Sequence, residues 1–217
     1  MTDAARRLTG LAVTATALTA VLALQPSPSG PVPRPADFGA TPSPPPARAA
    51  TSTRVVDVPA HRSEVSRHDP APERVQVPGV GIDAAIRPVG VDDQGALSVP
   101  GDPTVTGWYR FGPAPGSAHG SAVLVGHVDN DTGAVGEFAA LYEVKAGDRV
   151  EVHRDGAGPA TYRVVSRSTV PKDRLPPSLF RRVGPPVLTL ITCAPPFRPG
   201  LGGYQSNLIV TAEPPQS

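Results

Sequence analysis

Proline decides where this chain can form ordered layers. It fixes φ and removes a backbone donor, which excludes it from helix interiors and from central strands. The sequence holds 29 prolines and 22 glycines in 217 residues, almost a quarter of the chain. An average globular protein has about 12% of the two together, so a long helical bundle is excluded. Of the prolines, 12 fall within residues 25–72, in runs such as PSPSGPVPRP and TPSPPPARAA. Such a stretch favours polyproline II and buries too little apolar surface to offset the entropy of ordering. Residues 25–73 therefore read as a disordered linker, with His61 and His68 as solvated side chains. At about 3 Å per residue it can hold a domain many tens of Å from where it starts.

Upstream of the linker, Arg6 and Arg7 precede residues 8–24, LTGLAVTATALTAVLAL, which carry no charge. As a helix those 17 residues would run about 25 Å, close to the roughly 20 residues that a bilayer core needs. Positive residues before and polar residues after favour export. Residues 1–24 are read as a membrane anchor with Arg6 and Arg7 inside, or as a cleaved secretory signal. The expected location is the extracytoplasmic face of the membrane, or the exterior if the signal is cleaved. The arginine pair is too bare for a twin-arginine signal. From the ending TAEPPQS no C-terminal anchor is expected.

Residues 74–213 remain as the folded domain. They alternate short apolar runs with Gly/Pro turns, at the period of two that marks half-buried strands. Strands are expected at residues 75–80 and 82–89 around a PGVGID turn, and at 122–125, 149–153, 160–166, 187–192 and 208–211. Helical pieces fit residues 135–142 and 176–181. Many short strands point to a closed or nearly closed all-β barrel. No dinucleotide fingerprint, P-loop or H-E-x-x-H motif is present. Lys+Arg 20 against Asp+Glu 19 leaves a net charge of +1, with no pull toward nucleic acid. A single cysteine excludes an intramolecular disulfide and a Cys-rich metal knot.

That cysteine, Cys193, ends the most apolar strand, in LTLITCAPPF. A strand end is rigid and its last side chain can face a cleft, so Cys193 is a candidate nucleophile; a buried core cysteine is the alternative. His127, in VLVGHVDN, also follows an apolar run, with Asp129 and Asn130 just beyond. The glycine before it allows close backbone approach. Imidazole near a thiol can serve as acid and base. A zinc site from His127, Asp129 and Cys193 is a weaker reading. His119 and His153 read as structural, and Trp108 and Tyr109 as core aromatics or a pocket wall.

Taken together, GWYRFGPAPGSAHGSAVLVGHVD, LTLITC and GGYQSNLIVTA resemble the sortases, and among them the class F type of high-GC Gram-positive bacteria. The resemblance spans residues 75–212. It implies an eight-stranded β-barrel and a cysteine transpeptidase that needs no cofactor. Such an enzyme cleaves LPxTG-like sorting signals of secreted proteins between Thr and Gly, through a thioester. It passes the acyl group to an amine on a cell-wall precursor or a pilin. A monomer is expected. By the same resemblance Cys193 is the nucleophile, His127 the acid and base, and Thr192 a contributor to an oxyanion hole. The family also carries an arginine downstream of the cysteine. Here the matching positions are Gly202 or Ser206, and Arg198 is the only arginine after Cys193. Arg198 either reaches back from a loop loosened by Gly200, Gly202 and Gly203, or is a solvated charge; Arg110 and Arg163 are outsiders. Val105, Trp108, Val170, Leu175 and Phe180 are candidate walls for an apolar Leu-Pro. Two other readings stay open: a plain cysteine hydrolase, and a stalked surface module without activity.

Overall fold

The structure is a computed structural model that describes residues 35–39, 69–93 and 95–216. The candidate anchor and most of the linker lie outside those residues. Among the described residues, no helix is long and apolar enough to cross a membrane.

Eight strands form a closed barrel. They are β1 (Pro72–Val77), β2 (Ile82–Val89), β3 (Val105–Tyr109), β4 (Ser121–Val125), β5 (Arg149–Arg154), β6 (Ala157–Pro171), β7 (Val187–Arg198) and β8 (Gly203–Glu213). Their order around the barrel is β1-β2-β3-β4-β7-β8-β6-β5. The β2–β3 and β4–β7 pairs are parallel, and the others are antiparallel. Closure leaves no unpaired sheet edge. The expected turn between β1 and β2 is there: a 3-10 turn, Pro78–Val80, ends at Gly81 with φ 77°, a left-handed conformation that glycine adopts without steric cost.

The alternation of each strand divides its side chains between two apolar layers. Leu124, Leu188, Leu190, Leu208 and Val210 point into the barrel, where they pack with Phe138, Val150 and Val152. Their neighbours Val123, Val125, Ile191 and Ile209 point outward and form a second cluster with Leu179. Residues of the connecting loops cover this outer layer, among them Leu97, Leu175 and Phe180. The strands at the heart of the barrel are thus buried on both faces, which is why VLTLIT reads as a continuous apolar run rather than an alternating one.

Three elements depart from expectation. β3 was not anticipated, because VTGWY contains a glycine and its aromatics do not alternate; it is held by parallel pairing to β2. The strand at 160–166 runs over Ala157–Pro171. The strand at 187–192 continues to Arg198, with a register shift between Ala194 and Phe197. Cys193 therefore lies within paired strand rather than at its end. The expected helical pieces are 3-10 turns, Glu137–Tyr142 and Pro177–Phe180.

Residues 35–39 lie against β6, although composition assigns them to the linker. Phe38 and Arg167 exchange backbone hydrogen bonds, each 2.9 Å. The Arg167 side chain, 8% exposed, donates to the carbonyls of Ala36, Tyr142 and Val144. Its guanidinium also stacks over the Phe38 ring, 5.0 Å from the centroid. A planar five-donor group suits this cluster of carbonyls better than an ammonium does. Removing it strands several acceptors at about 1–3 kcal/mol each. Arg167→Ala is expected to lower the unfolding free energy by about 3 kcal/mol. Urea denaturation measures this, and a loss below about 1 kcal/mol would mean that water takes over the carbonyls.

Candidate active site

The outward face of β7 carries Thr189, Ile191 and Cys193, by the same alternation that sends Leu188, Leu190 and Ala194 into the barrel. Cys193 thus belongs to the outer apolar layer, just where its cover of loops leaves a gap. The gap is a cleft of about 630 Å³. Its floor is Val125, Gly126, Ile191, Thr192, Cys193 and Asn207; its walls include Leu97, Val99, Tyr109, His127, Lys172, Leu175 and Phe180.

His127 reaches the cleft from the residues that follow β4. The preceding Gly126 passes tightly over the Phe138 ring, and a Cβ there would lie 2.7 Å from it. Glycine before the histidine is therefore a packing requirement. Nε2 of His127 lies 2.7 Å from the Pro100 carbonyl oxygen. A carbonyl only accepts, so Nε2 carries the hydrogen and Nδ1 is the basic nitrogen of the neutral ring. Pro100 belongs to the β2–β3 loop, so that loop both walls the cleft and orients the histidine.

The residues after His127 hold the site together. Asn130 Oδ1 accepts from the Thr132 and Ala134 amides and closes a tight loop. Asp129 accepts a 2.6 Å hydrogen bond from the Tyr204 hydroxyl. The Tyr142 hydroxyl donates to the Cys193 carbonyl at 2.9 Å and fixes the backbone of that residue. Burial, with Cys193 and Asp129 nearby, pushes the Tyr142 phenol up to about 12. Tyr204 is also raised, first by burial and then by its bond to Asp129. Both phenols stay neutral donors across the physiological range.

Burial also pushes the Cys193 thiol above its ordinary value, against the pull of Lys172, which lowers it by charge and by hydrogen bonding; Asp129 raises it further. Desolvation is the largest cause, because an anion loses more hydration than a neutral thiol does. At rest the sulfur is protonated, and a base is needed to make a thiolate.

The structure brings Cys193 and His127 to one cleft and leaves Arg198 outside it. β7 runs five residues past Cys193 to Arg198, roughly 15 Å along an extended strand. There Arg198 is exposed and pairs with Gly203. The residue opposite Cys193 is Asn207, not Gly202 or Ser206. Gly202 occupies a left-handed turn with φ 80°, and Ser206 is buried opposite Ala194. Arg110 stacks on Phe111, and Arg163 donates to the Gly147 carbonyl. The Thr192 hydroxyl is engaged by the Gly126 carbonyl at 2.9 Å, which ties β7 to the end of β4 and removes it as an oxyanion donor. Of the candidate walls, Leu175 and Phe180 line the cleft, whereas Val105, Trp108 and Val170 do not. Trp108 packs on the barrel core and donates to the Pro113 carbonyl, while its neighbour Tyr109 faces the cleft, edge-on to Phe180.

His119 lines a separate depression of about 410 Å³ with Asp69 and Arg182. His153 bonds Gln76. Among the described residues, no three His, Cys, Asp or Glu side chains gather as a metal site.

Asn207 and Lys172 were missed from sequence. Counting the β7–β8 ladder back from its turn would have found Asn207, but the register shift after Ala194 hides the count. Lys172 carries no local signal, since only the fold brings the end of β6 beside β7.

A family model described as Sortase domain matches residues 75–215. No curated protein sequence gives a significant match. Among solved structures, sortase C1 from Streptococcus agalactiae is similar with a TM-score of 0.52 and 22% identity, over 67% of this chain and 67% of that one. A lid mutant of sortase A from Corynebacterium diphtheriae gives 0.51 and 20%, over 68% and 72%. Sortase C-1 from Actinomyces oris gives 0.50 and 23%, over 66% and 73%. At these identities the likeness establishes the barrel fold.

A raised thiol pKa has a direct readout, because only thiolate reacts with iodoacetamide. The alkylation rate of Cys193 is expected to be still rising at pH 9.0, the ordinary thiol value. A plateau reached by pH 8 would contradict the dominance of desolvation.

Proposed function

From the premise that this chain belongs to the sortase family, whose model matches residues 75–215, we propose that it is a class F cysteine transpeptidase. It cleaves LPxTG-like sorting signals of secreted proteins between Thr and Gly. It transfers the acyl group to an amine on a cell-wall precursor or pilin. The observation that carries this reading is the convergence of Cys193 and His127 in one cleft with an apolar wall. Class F rests on the motifs GWYRFGP, GHVD and LITC.

In this mechanism His127 removes the thiol proton and Cys193 attacks the Thr carbonyl. The C–N bond breaks as His127 returns the proton to the leaving glycine amine, which leaves a thioester. The incoming amine then gives its proton to His127 and attacks the thioester, and the sulfur leaves. The covalent route splits one hard amide exchange into two easier steps and keeps the bond energy for the new amide. Leu97, Tyr109, Leu175 and Phe180 supply apolar surface for the Leu-Pro part of an extended peptide. Arg198, exposed beyond the cleft, takes part only if the β7–β8 turn folds back onto bound substrate. The uncharged residues 8–24 after Arg6 and Arg7 support anchoring at the extracytoplasmic face.

A stalked surface module without activity would be favoured by a raised thiol pKa together with no cleft; the thiol is raised, but the cleft is present. A panel of LPxTG-type peptides, followed by intact mass with and without glycine or diamino acceptors, tests the proposal. The expected result is an acyl adduct that is absent in Cys193→Ala and an amide product when acceptor is added. An adduct that yields only free acid would show a hydrolase, and no adduct on any peptide would sink the transpeptidase. His127→Ala should cut the acylation rate by about 10²–10⁴-fold without changing the unfolding midpoint.

A further inference from the structure

Negative charge has to be held twice at Cys193, first on Sγ and then on the oxygen of the attacked carbonyl. Among the described residues lining the cleft, Lys172 is the only lysine or arginine. Strand register places it there. β7 sets Cys193 opposite Asn207. β8 in turn sets Asn207 opposite Val170 and Ser206 opposite Pro171 on β6. Lys172 follows at once, at the start of the 3-10 turn Lys172–Arg174. Two strand spacings, about 10 Å, separate its backbone from that of Cys193, a span that a lysine stem and a thiol bridge together. Asn207, between them in the ladder, also lines the cleft.

Among the described residues, no other lysine or arginine lines the cleft. Arg167 is committed to carbonyls inside the fold, and Arg198 lies beyond the cleft. The groups facing the thiol are Lys172 after β6, His127 and Asp129 after β4, Tyr142 from its 3-10 turn and Tyr204 on β8. Asp129 works against an anion on sulfur, and both tyrosines are neutral.

We propose that Lys172 is a catalytic residue of this enzyme, its ammonium stabilising the Cys193 thiolate and then the oxyanion formed when that thiolate attacks. The inference rests on the transpeptidase reading above. As the S–C bond forms, the carbonyl π pair moves onto oxygen, and the ammonium faces that charge. As the adduct collapses, the pair returns, the C–N bond breaks, and His127 supplies the proton to the amine. Lys172 keeps its protons throughout. A cation that already stands beside the reacting atoms favours the charge as it develops there. The ammonium is a point charge on a flexible stem, so arginine at 172 keeps the charge and changes only the donor geometry.

Lys172→Met and Lys172→Arg in the full chain test this. Lys172 is exposed, so neither change should alter the unfolding midpoint. Two measurements are made: the iodoacetamide rate at Cys193 from pH 6 to 10, which needs no substrate, and the single-turnover acylation rate with an LPxTG-type peptide. Lys172→Met is expected to shift the alkylation profile to higher pH and slow acylation by about 10²-fold, while Lys172→Arg recovers most of both. A native protein that acylates, beside a Lys172→Met variant with unchanged profile and rate, overturns the role of Lys172 and leaves the transpeptidase standing. A native protein that forms no adduct sinks the transpeptidase and the oxyanion role with it. In that case a shifted profile still upholds the lysine–thiolate pairing, and an unshifted one removes that as well.

Discussion

β7 runs between two apolar layers, and its alternation assigns each side chain to one of them. Leu188 and Leu190 fill the barrel; Ile191 joins the outer cluster with Val123, Val125 and Ile209. A slip of one residue would exchange the two sets, so the burial of Leu188 and Leu190 on one side and of Ile191, Val123, Val125 and Ile209 on the other locks the register. Cys193 inherits its direction from that lock. So does Asn207, which the β7–β8 ladder holds opposite it. The thiol is therefore aimed by the packing of apolar side chains. Tyr142 secures it further by donating to its carbonyl.

The same burial that positions the thiol opposes its ionisation. Desolvation is the largest influence on Cys193, and Asp129 adds to it. The site answers with a histidine whose tautomer is set by the Pro100 carbonyl and with one cation at the rim. Asp129 is itself occupied by Tyr204, which spreads its charge over a hydrogen bond and limits its effect on the sulfur. The balance keeps the thiol protonated at rest. In the proposed reaction, a substrate that fills the cleft would exclude water and strengthen the pull of that cation on the developing charge.

Arg167 links the barrel to the chain before it. Its guanidinium joins the Ala36 carbonyl, on the segment before the barrel, to those of Tyr142, which bonds Cys193, and of Val144 just beyond that turn. A proline-rich stretch with too little apolar surface to fold alone thus contributes one aromatic, Phe38, and one carbonyl to a buried polar cluster. Composition describes the average of such a stretch. It says nothing of five residues that find a partner strand.

Much of this protein is legible in its sequence. The period of two, the Gly/Pro turns and the two-sided apolar run VLTLIT specify a closed barrel, because those patterns have few other ways to be buried. Gly126 before His127 was readable as a close approach, and the Phe138 ring is what it approaches. Cys193 and His127 stood out as chemistry-bearing residues beside apolar strands. What the linear order leaves open is which charged groups reach them. Arg198 is five residues from Cys193 and outside the cleft; Lys172 is 21 residues away and inside it. The reason is geometric: an extended strand carries its residues away from one another at about 3.3 Å each, whereas pairing through β8 folds the end of β6 back beside the sulfur. The sequence by itself determined the barrel and singled out Cys193 as its one thiol; only strand register in three dimensions decided which charge stands next to it.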